Sequence, residues 1–401
     1  MLRCCLVAAL AGSACALAQP LVTAEQVHRL SLKESREKLP VKLSGVVTYV
    51  RGVGPEVVIQ DATGGVMLDV DLNLVPRIGI GMKVVIEGFT AVHPPTPRVK
   101  ATSVEFLGQG ELPEPVRMTV AQLLEADDDG TLIECEDVIR AVRVEEGEVT
   151  PARLVLEMGP ASGRLSVWVS RWDEESRRAF SPGTTVRVKG VLMRWKTVQW
   201  MPISSLMVVH EPSWVGVVRP APAREDVAYR ELEEVPAAAT DDDFSEMFRV
   251  KGVVSYSDAS VTVIGEEKSA LWIHAGDGSV FLPGDRVEAT GYPGMNGPRS
   301  ELEDAKIERM EKGEPIEPEK LSPQSFEKRE PMWMDGMRVR LKGIVAAGSS
   351  DPEDAPLFLD FGGKLIPIHF ANRPQRSLLP AAGSEIEATG ILEAGLNLRL
   401  R

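Results

Sequence analysis

The run VKLSGVV at 41–47 returns along the chain as LIECEDVIRAV (132–142), RVKGVVS (249–255) and VRLKGIV (339–345). About 40 to 55 residues after each opening, a second strand-like run closes the interval. The closings are MKVVIEGF (82–89), TTVRVKGVL (184–192), DRVEATGY (285–292) and SEIEATGIL (384–392). Self-similarity at a spacing of roughly 90 to 115 residues is the signature of a repeat array. It outranks the two or three domains that 401 residues imply on average domain size.

Working outward, the first interval divides into five strands, at 41–50, 56–60, 66–71, 83–91 and 99–107. Asp61-Ala62-Thr63-Gly64-Gly65 reads as a hairpin turn in which glycine supplies positive φ. Five strands with a break between the third and fourth is the order of an OB-fold, a small, partly open Greek-key barrel. The other intervals repeat it, the second with a short helix at 173–180 between its third and fourth strands. The expected fold is therefore all-β: four small five-stranded OB-fold-like barrels in tandem, joined by Pro-rich linkers with short helices. The boundaries read as a signal peptide at 1–18, a helical lead-in at 19–39, and modules at 40–111, 112–212, 213–312 and 313–401, each of the last three including its linker. The fourth module has barely begun its fifth strand at Arg401, so it reads as truncated, or as completing its barrel with another segment or chain.

The linkers LPEPVRMTVAQLL (112–124), RPAPAREDVAYREL (219–232) and EPIEPEKLSPQSF (314–326) each pass from prolines into one or two helical turns. Proline stiffens such a joint and the helix can close the next barrel's end, which predicts a semi-rigid rod.

The combination VxLxGVVT, a second strand ending QDxTGG, a closing GxxVxxxG and a linker LPEP before a helix resembles the periplasmic N-terminal regions of certain bacterial sensor histidine kinases. Those regions carry tandem OB-fold-like repeats, and the resemblance spans 40–400. It implies a sensory or ligand-binding ectodomain. The membrane span and kinase domains that follow in that family have no counterpart here, which puts a signalling output in doubt.

At the N-terminus, Arg3, the apolar run 6–11 and Ala16-Leu17-Ala18 have the order of a secretory signal peptide cleaved before Gln19. Periplasmic or secreted localisation follows. Cleavage would remove Cys4, Cys5 and Cys15, leaving Cys135 alone, so the mature chain can form neither an internal disulfide nor a cysteine-based zinc site. Cys135 lies in an alternating run and reads as a buried strand residue. Losing Arg3 takes the net charge from −14 to −15. Phosphate backbones are bound by clustered Lys and Arg, so the composition disfavours nucleic acid.

No constellation for chemistry emerges. His28, His93, His210, His274 and His369 lie singly, without metal-ligand spacing, and there is no nucleophile elbow, P-loop or dinucleotide fingerprint. The triplets Asp127-Asp128-Asp129 and Asp241-Asp242-Asp243 lack the spaced ligands of a calcium loop and read as solvated turns. Asp69 and Asp71 share a strand face without a partner acid or base. We expect no catalytic residues, no metal and no cofactor.

The functional signal is aromatic: Trp168, Trp172, Trp195, Trp200 and Trp214 fall in the second module and its exit. In LSVWVSRW (165–172) the aliphatics alternate with Ser166, Trp168, Ser170 and Trp172, which places both tryptophans on an outward face. Arg194-Trp195-Lys196 falls beside the loop joining strands 4 and 5, a ligand-binding edge of OB-folds. Trp168, Arg171, Trp172, Arg194, Trp195 and Lys196 are thus the candidate ligand-binding residues, suited to stacking on a sugar, a base or an extended peptide. The competing reading packs these tryptophans against a linker or the next module. Trp272, His274 and His369 echo the pattern on the third strands of modules 3 and 4. The leading expectation is an exported, non-enzymatic protein that binds a small ligand, glycan or protein. The alternatives are an envelope spacer or scaffold, and oligosaccharide or single-stranded nucleic-acid binding through module 2.

Overall fold

A computed structural model describes residues 19–51, 54–93, 96–126, 129–146, 151–160, 163–196, 202–235, 246–266, 269–296, 299–329, 334–346, 357–370, 379–393 and 397–400. The signal-peptide reading at 1–18, Trp200, Asp127, Asp128 and the triplet at 241–243 lie outside them. Among the described residues no helix is long and apolar enough to cross a membrane.

The strands form four successive sheets. In module 1, Pro40–Val50, Glu56–Asp61, Gly64–Asp69, Met82–His93 and Thr96–Gln109 close a barrel in the order 1-2-3-5-4. Strand 1 pairs with both 2 and 4, and strands 3 and 5 run parallel through Leu68↔Val99. Module 2 repeats the order with Leu132–Glu145, Arg153–Met158, Leu165–Val169, Thr185–Lys196 and Pro202–Val209. Module 3 does so with Phe248–Ser257, Thr262–Glu266, Ser269–Ala275, Arg286–Asn296 and Arg299–Glu311. In module 4 the strands are Arg338–Val345, Leu357–Phe361, Lys364–Phe370, Glu385–Glu393 and Asn397–Leu400. The all-β array of small OB-fold-like barrels is what the repeat predicts. Its last strand, though short, pairs on one side with strand 3 and on the other with strand 4, so module 4 completes the strand order from its own chain.

Alternation fills each barrel. Val57, Ile59, Val66, Leu68, Val84 and Ile86 belong to one buried cluster in module 1, and each other module has its own. The short helices cap the barrels as the linkers suggest. Ala24 and Val27, from the helix Ala24–His28, enter the core of module 1. Val120 and Leu123, from Val120–Glu125, enter that of module 2, and Phe326, from Pro323–Glu327, that of module 4. Thr23, Thr119 and Ser322 cap these helices with side-chain oxygens that accept from the first turn, which lets such short segments hold.

Pairing registers align the modules residue by residue. Strand 1 bulges at Thr48, Arg140 and Ser255. On strand 3, Met67, Ser166, Trp272 and Pro367 occupy one row, and Asp69, Trp168, His274 and His369 the next outward one. Trp168 therefore corresponds to His274 and His369, while Trp272 sits one outward row away from them. On strand 4, Gly88, Gly190, Gly291 and Gly390 are each followed by a side chain at one position: Phe89, Val191, Tyr292 and Ile391.

Candidate partner-binding faces

In module 2 the outward side of strand 3 carries Ser166 and Trp168, both half-buried, between the fully buried Leu165, Val167 and Val169. Trp168 is not open on both sides. The Arg153 guanidinium lies over its ring at 3.4 Å, and Arg153 is held by Glu145 at 2.6 Å. Glu145 also accepts from Arg143, which reaches on to Glu157, and the Ser166 hydroxyl donates to Glu157 at 3.0 Å. The hydrogen bond from Arg153 holds the Glu145 carboxyl below its ordinary range. Trp168 also packs on a cluster shared with module 1: Tyr49, Val58 and Met67 on one side, Leu132, Val191, Met193, Leu206 and Val208 on the other. Burial pushes the Tyr49 hydroxyl up to about 12.

The remaining candidates separate. Trp172 lies past the strand's end at Val169, packs against the core of module 2 and donates its indole N–H to the Ala152 carbonyl at 3.1 Å, so it leaves the outward face on which alternation places it. The strand stops because Ser170 closes on Val209 and the chain turns into the capping box of Asp173. Arg171 is exposed and faces His210, whose pKa burial and the Arg171 charge lower. Arg194 turns back onto its own module, its guanidinium donating to the Leu124 carbonyl at 3.3 Å. Trp195 and Lys196 pair in the ladder with Ser204 and Pro202, and their side chains lie outside the described residues. Trp214 bridges two clusters with Lys189 over its ring at 4.6 Å. The four candidates whose side chains are described, Trp168, Arg171, Trp172 and Arg194, do not converge on one surface.

What the array does with its strand 1–3 faces is consistent from joint to joint. Module 2 docks on that face of module 1, bringing Val191 into one apolar cluster with Tyr49, Val58 and Met67. Gln60 accepts from the Leu132 N–H at 2.8 Å across the joint. At its centre Gly65 and Gly130 touch, and a Cβ on Gly65 would lie 1.8 Å from the Gly130 carbonyl oxygen. Asp129, just before Gly130, is buried, accepts from the Arg194 N–H at 3.2 Å and is reached by Thr96 of module 1. It is thus a buried joint residue and not part of a solvated turn, and desolvation raises its pKa.

Module 4 docks on module 3 by the same rule. Ile391 sits on Tyr256, Val263 and Trp272, which occupy the positions of Tyr49, Val58 and Met67. Ala270 takes the place of Gly65 and Gly336 that of Gly130, with a Cβ on Gly336 falling 2.7 Å from that of Ala270. Asp335 takes the place of Asp129 and is gripped by Arg299 at 2.7 and 2.9 Å. Arg299 also stacks on Trp272 at 4.0 Å and reaches Glu393. Beside it, His274 meets Glu301 at 2.8 Å, which raises the imidazole pKa. The joint between modules 2 and 3 uses the same position but polar groups: buried Arg140 lies 3.6 Å over the Tyr292 ring, and Arg164 pairs with Asp304 at 2.6 Å.

Only the fourth strand 1–3 face, among the described residues, has no barrel on it. Ile344 and Leu365 are 51% and 60% exposed there, beside half-buried Phe358 and Pro367 and exposed His369. Tryptophan composition drew attention to module 2. The joint pairs and this face were missed, although Gly64-Gly65, Asp129-Gly130 and Asp335-Gly336 are visible as small-residue steps at matching places. Among the described residues, no three His, Cys, Asp or Glu side chains group as metal ligands.

No protein-family model matches the chain, and no curated protein matches it. Solved structures do. The hypothetical protein ygiW from E. coli is 18% identical over 22% of this chain and 91% of its own, with a TM-score of 0.19. A murine DNA-binding protein bound with double-stranded DNA is 13% identical over 46% of this chain and 98% of its own, at 0.22. The p204 HINb domain is 10% identical over 44% and 95%, at 0.20. TM-scores this low carry no functional argument.

Proposed function

We propose that this chain is an exported, non-enzymatic scaffold, similar in build to a sensor ectodomain, that engages a protein partner through the strand 1–3 face of module 4. Modules 1 and 3 spend that face on docking the next barrel, and module 2 meets Tyr292 of the next barrel there and fills the rest with the Arg143, Glu145, Arg153 and Glu157 lattice. The observation that carries the reading is the exposure of Ile344 and Leu365, whose counterparts Val46, Val138 and Val253, and Gly65, Arg164 and Ala270, are all half-buried or buried. An apolar centre with a polar rim suits a protein surface. Polyanions are bound by clustered cations, and this face carries Asp360 with Lys364 at its rim, so nucleic acid is disfavoured. Binding through the module 2 tryptophans is disfavoured too, because Trp168 is stacked beneath Arg153 and packed in a joint.

A photo-crosslinking residue placed at 365 in producing cells tests this, with exposed Lys306 of module 3 as the control site. A discrete protein adduct from 365 and none from 306 supports the reading. Equal labelling from both, or oligonucleotide binding to the purified chain that fades with salt, contradicts it. Export is tested separately by whether the mature chain begins at Gln19.

A further inference from the structure

The joint geometry has a requirement that the first and fourth barrels break. At each apolar joint the incoming barrel presents a residue of positive φ three places before the position that pairs with the strand-4 glycine. These are Gly130, at φ 89°, and Gly336, at φ 74°. At these two joints the receiving barrel offers Gly65 or Ala270, and the two backbones close to where a larger side chain has no room; the joint between modules 2 and 3 is of another kind, with Arg164 at that position paired to Asp304. Module 1 carries Lys38 at the incoming position, with the same left-handed turn at φ 55°, a conformation that disfavours any side chain. Its ammonium lies 5.7 Å from the ring of Phe89, the residue at the place of Val191 and Ile391. Module 4 carries Leu365 at the receiving position, in register with Gly65 and Ala270.

We infer that Lys38 and Leu365 are gatekeepers that bar the joint from being extended, so that a second copy of this chain cannot dock its module 1 on module 4 of the first. Head-to-tail contacts of this kind do not close on themselves and grow into filaments, a hazard for any array whose ends repeat its own joints. Both halves of the joint are otherwise present: Phe89 as the knob, and Phe358 and Pro367 at the places of Val58 and Met67. The inference is independent of which partner module 4 takes, because it concerns only the refusal of another barrel of this type.

The test restores the residues of the natural joint. Lys38→Gly and Leu365→Ala recreate the Gly336 and Ala270 pair, and the double variant is compared with wild type and each single variant by light scattering over a concentration series. One-chain mass for wild type and both singles, with the mass of the double variant rising with concentration and falling back on adding Phe89→Glu, supports the inference. A double variant that keeps the wild-type circular dichroism and one-chain mass overturns it. So does a wild type that already forms open-ended oligomers dissolved by Phe89→Glu. Lys38→Gly relieves a strained φ and Leu365 is largely exposed, so folding is checked by the dichroism.

Discussion

Gly65 of module 1 and Gly130 of module 2 meet backbone to backbone, so closely that a Cβ on Gly65 would overlap the Gly130 carbonyl at 1.8 Å. A contact of that kind fixes the separation of two barrels, because neither side can gain an atom without moving the whole joint. Gly65→Ala should therefore destabilise the array by about 1 to 3 kcal/mol, the cost of overpacking a filled site. Chemical denaturation measures it. Gly363→Ala, at a hairpin with open space around it, serves as the control in which only the positive φ of 88° is disturbed.

Trp168 is a joint residue in this structure, so Trp168→Ala should cost about 2 kcal/mol or more, near the low end for truncating a large aromatic because the ring is half-buried. Arg153→Ala in the same background should reveal a coupling of about 0.5 to 1 kcal/mol from the stacked guanidinium. An unchanged denaturation midpoint for Trp168→Ala would mean that the ring does not pack on module 1.

His274 supplies a pH signature. Its pKa is raised by Glu301, so the stability it contributes is complete below its ordinary value of 6.5 and is lost as pH rises through the higher folded value. Stability measured from pH 5.5 to 8.5 should fall across that window, and His274→Gln should remove that part of the slope. A slope unaltered by the substitution would contradict the pairing.

Cys135 is buried on strand 1 of module 2, and burial pushes its thiol up to about 12. The folded protein should react with a thiol reagent at pH 8 no faster than it unfolds, and the denatured protein at the ordinary thiolate rate. Rapid labelling of the native chain would show module 2 to be open.

The barrels were legible because a barrel is local: alternation in 41–107, a glycine hairpin at 61–65 and capped helices in the linkers at 112–124 and 314–326 declare themselves within one module's length, while the helical turns of the linker at 219–232 are only 3-10 among the described residues. The joints were not, since Gly65 and Gly130, or Ala270 and Gly336, are far apart in sequence and small outward residues resemble solvent positions. Trp172 shows a second limit. Alternation continues through Trp172 on paper, but the strand ends at Val169, and three residues past the end Trp172 no longer obeys the period. The third-strand echo was legible in part: the pairing register sets His274 and His369 level with Trp168, with Trp272 one outward row away.

Covalent footprinting of the intact chain in solution tests the central claim most directly, since it reads the same face in three modules at once. If each apolar joint covers the strand 1–3 face of the preceding barrel, Met67 and Trp272 are protected while Phe358 and Leu365 are labelled. Comparable labelling of Met67, Trp272 and Leu365 would contradict docking on that face, and with it the assignment of the free face to module 4.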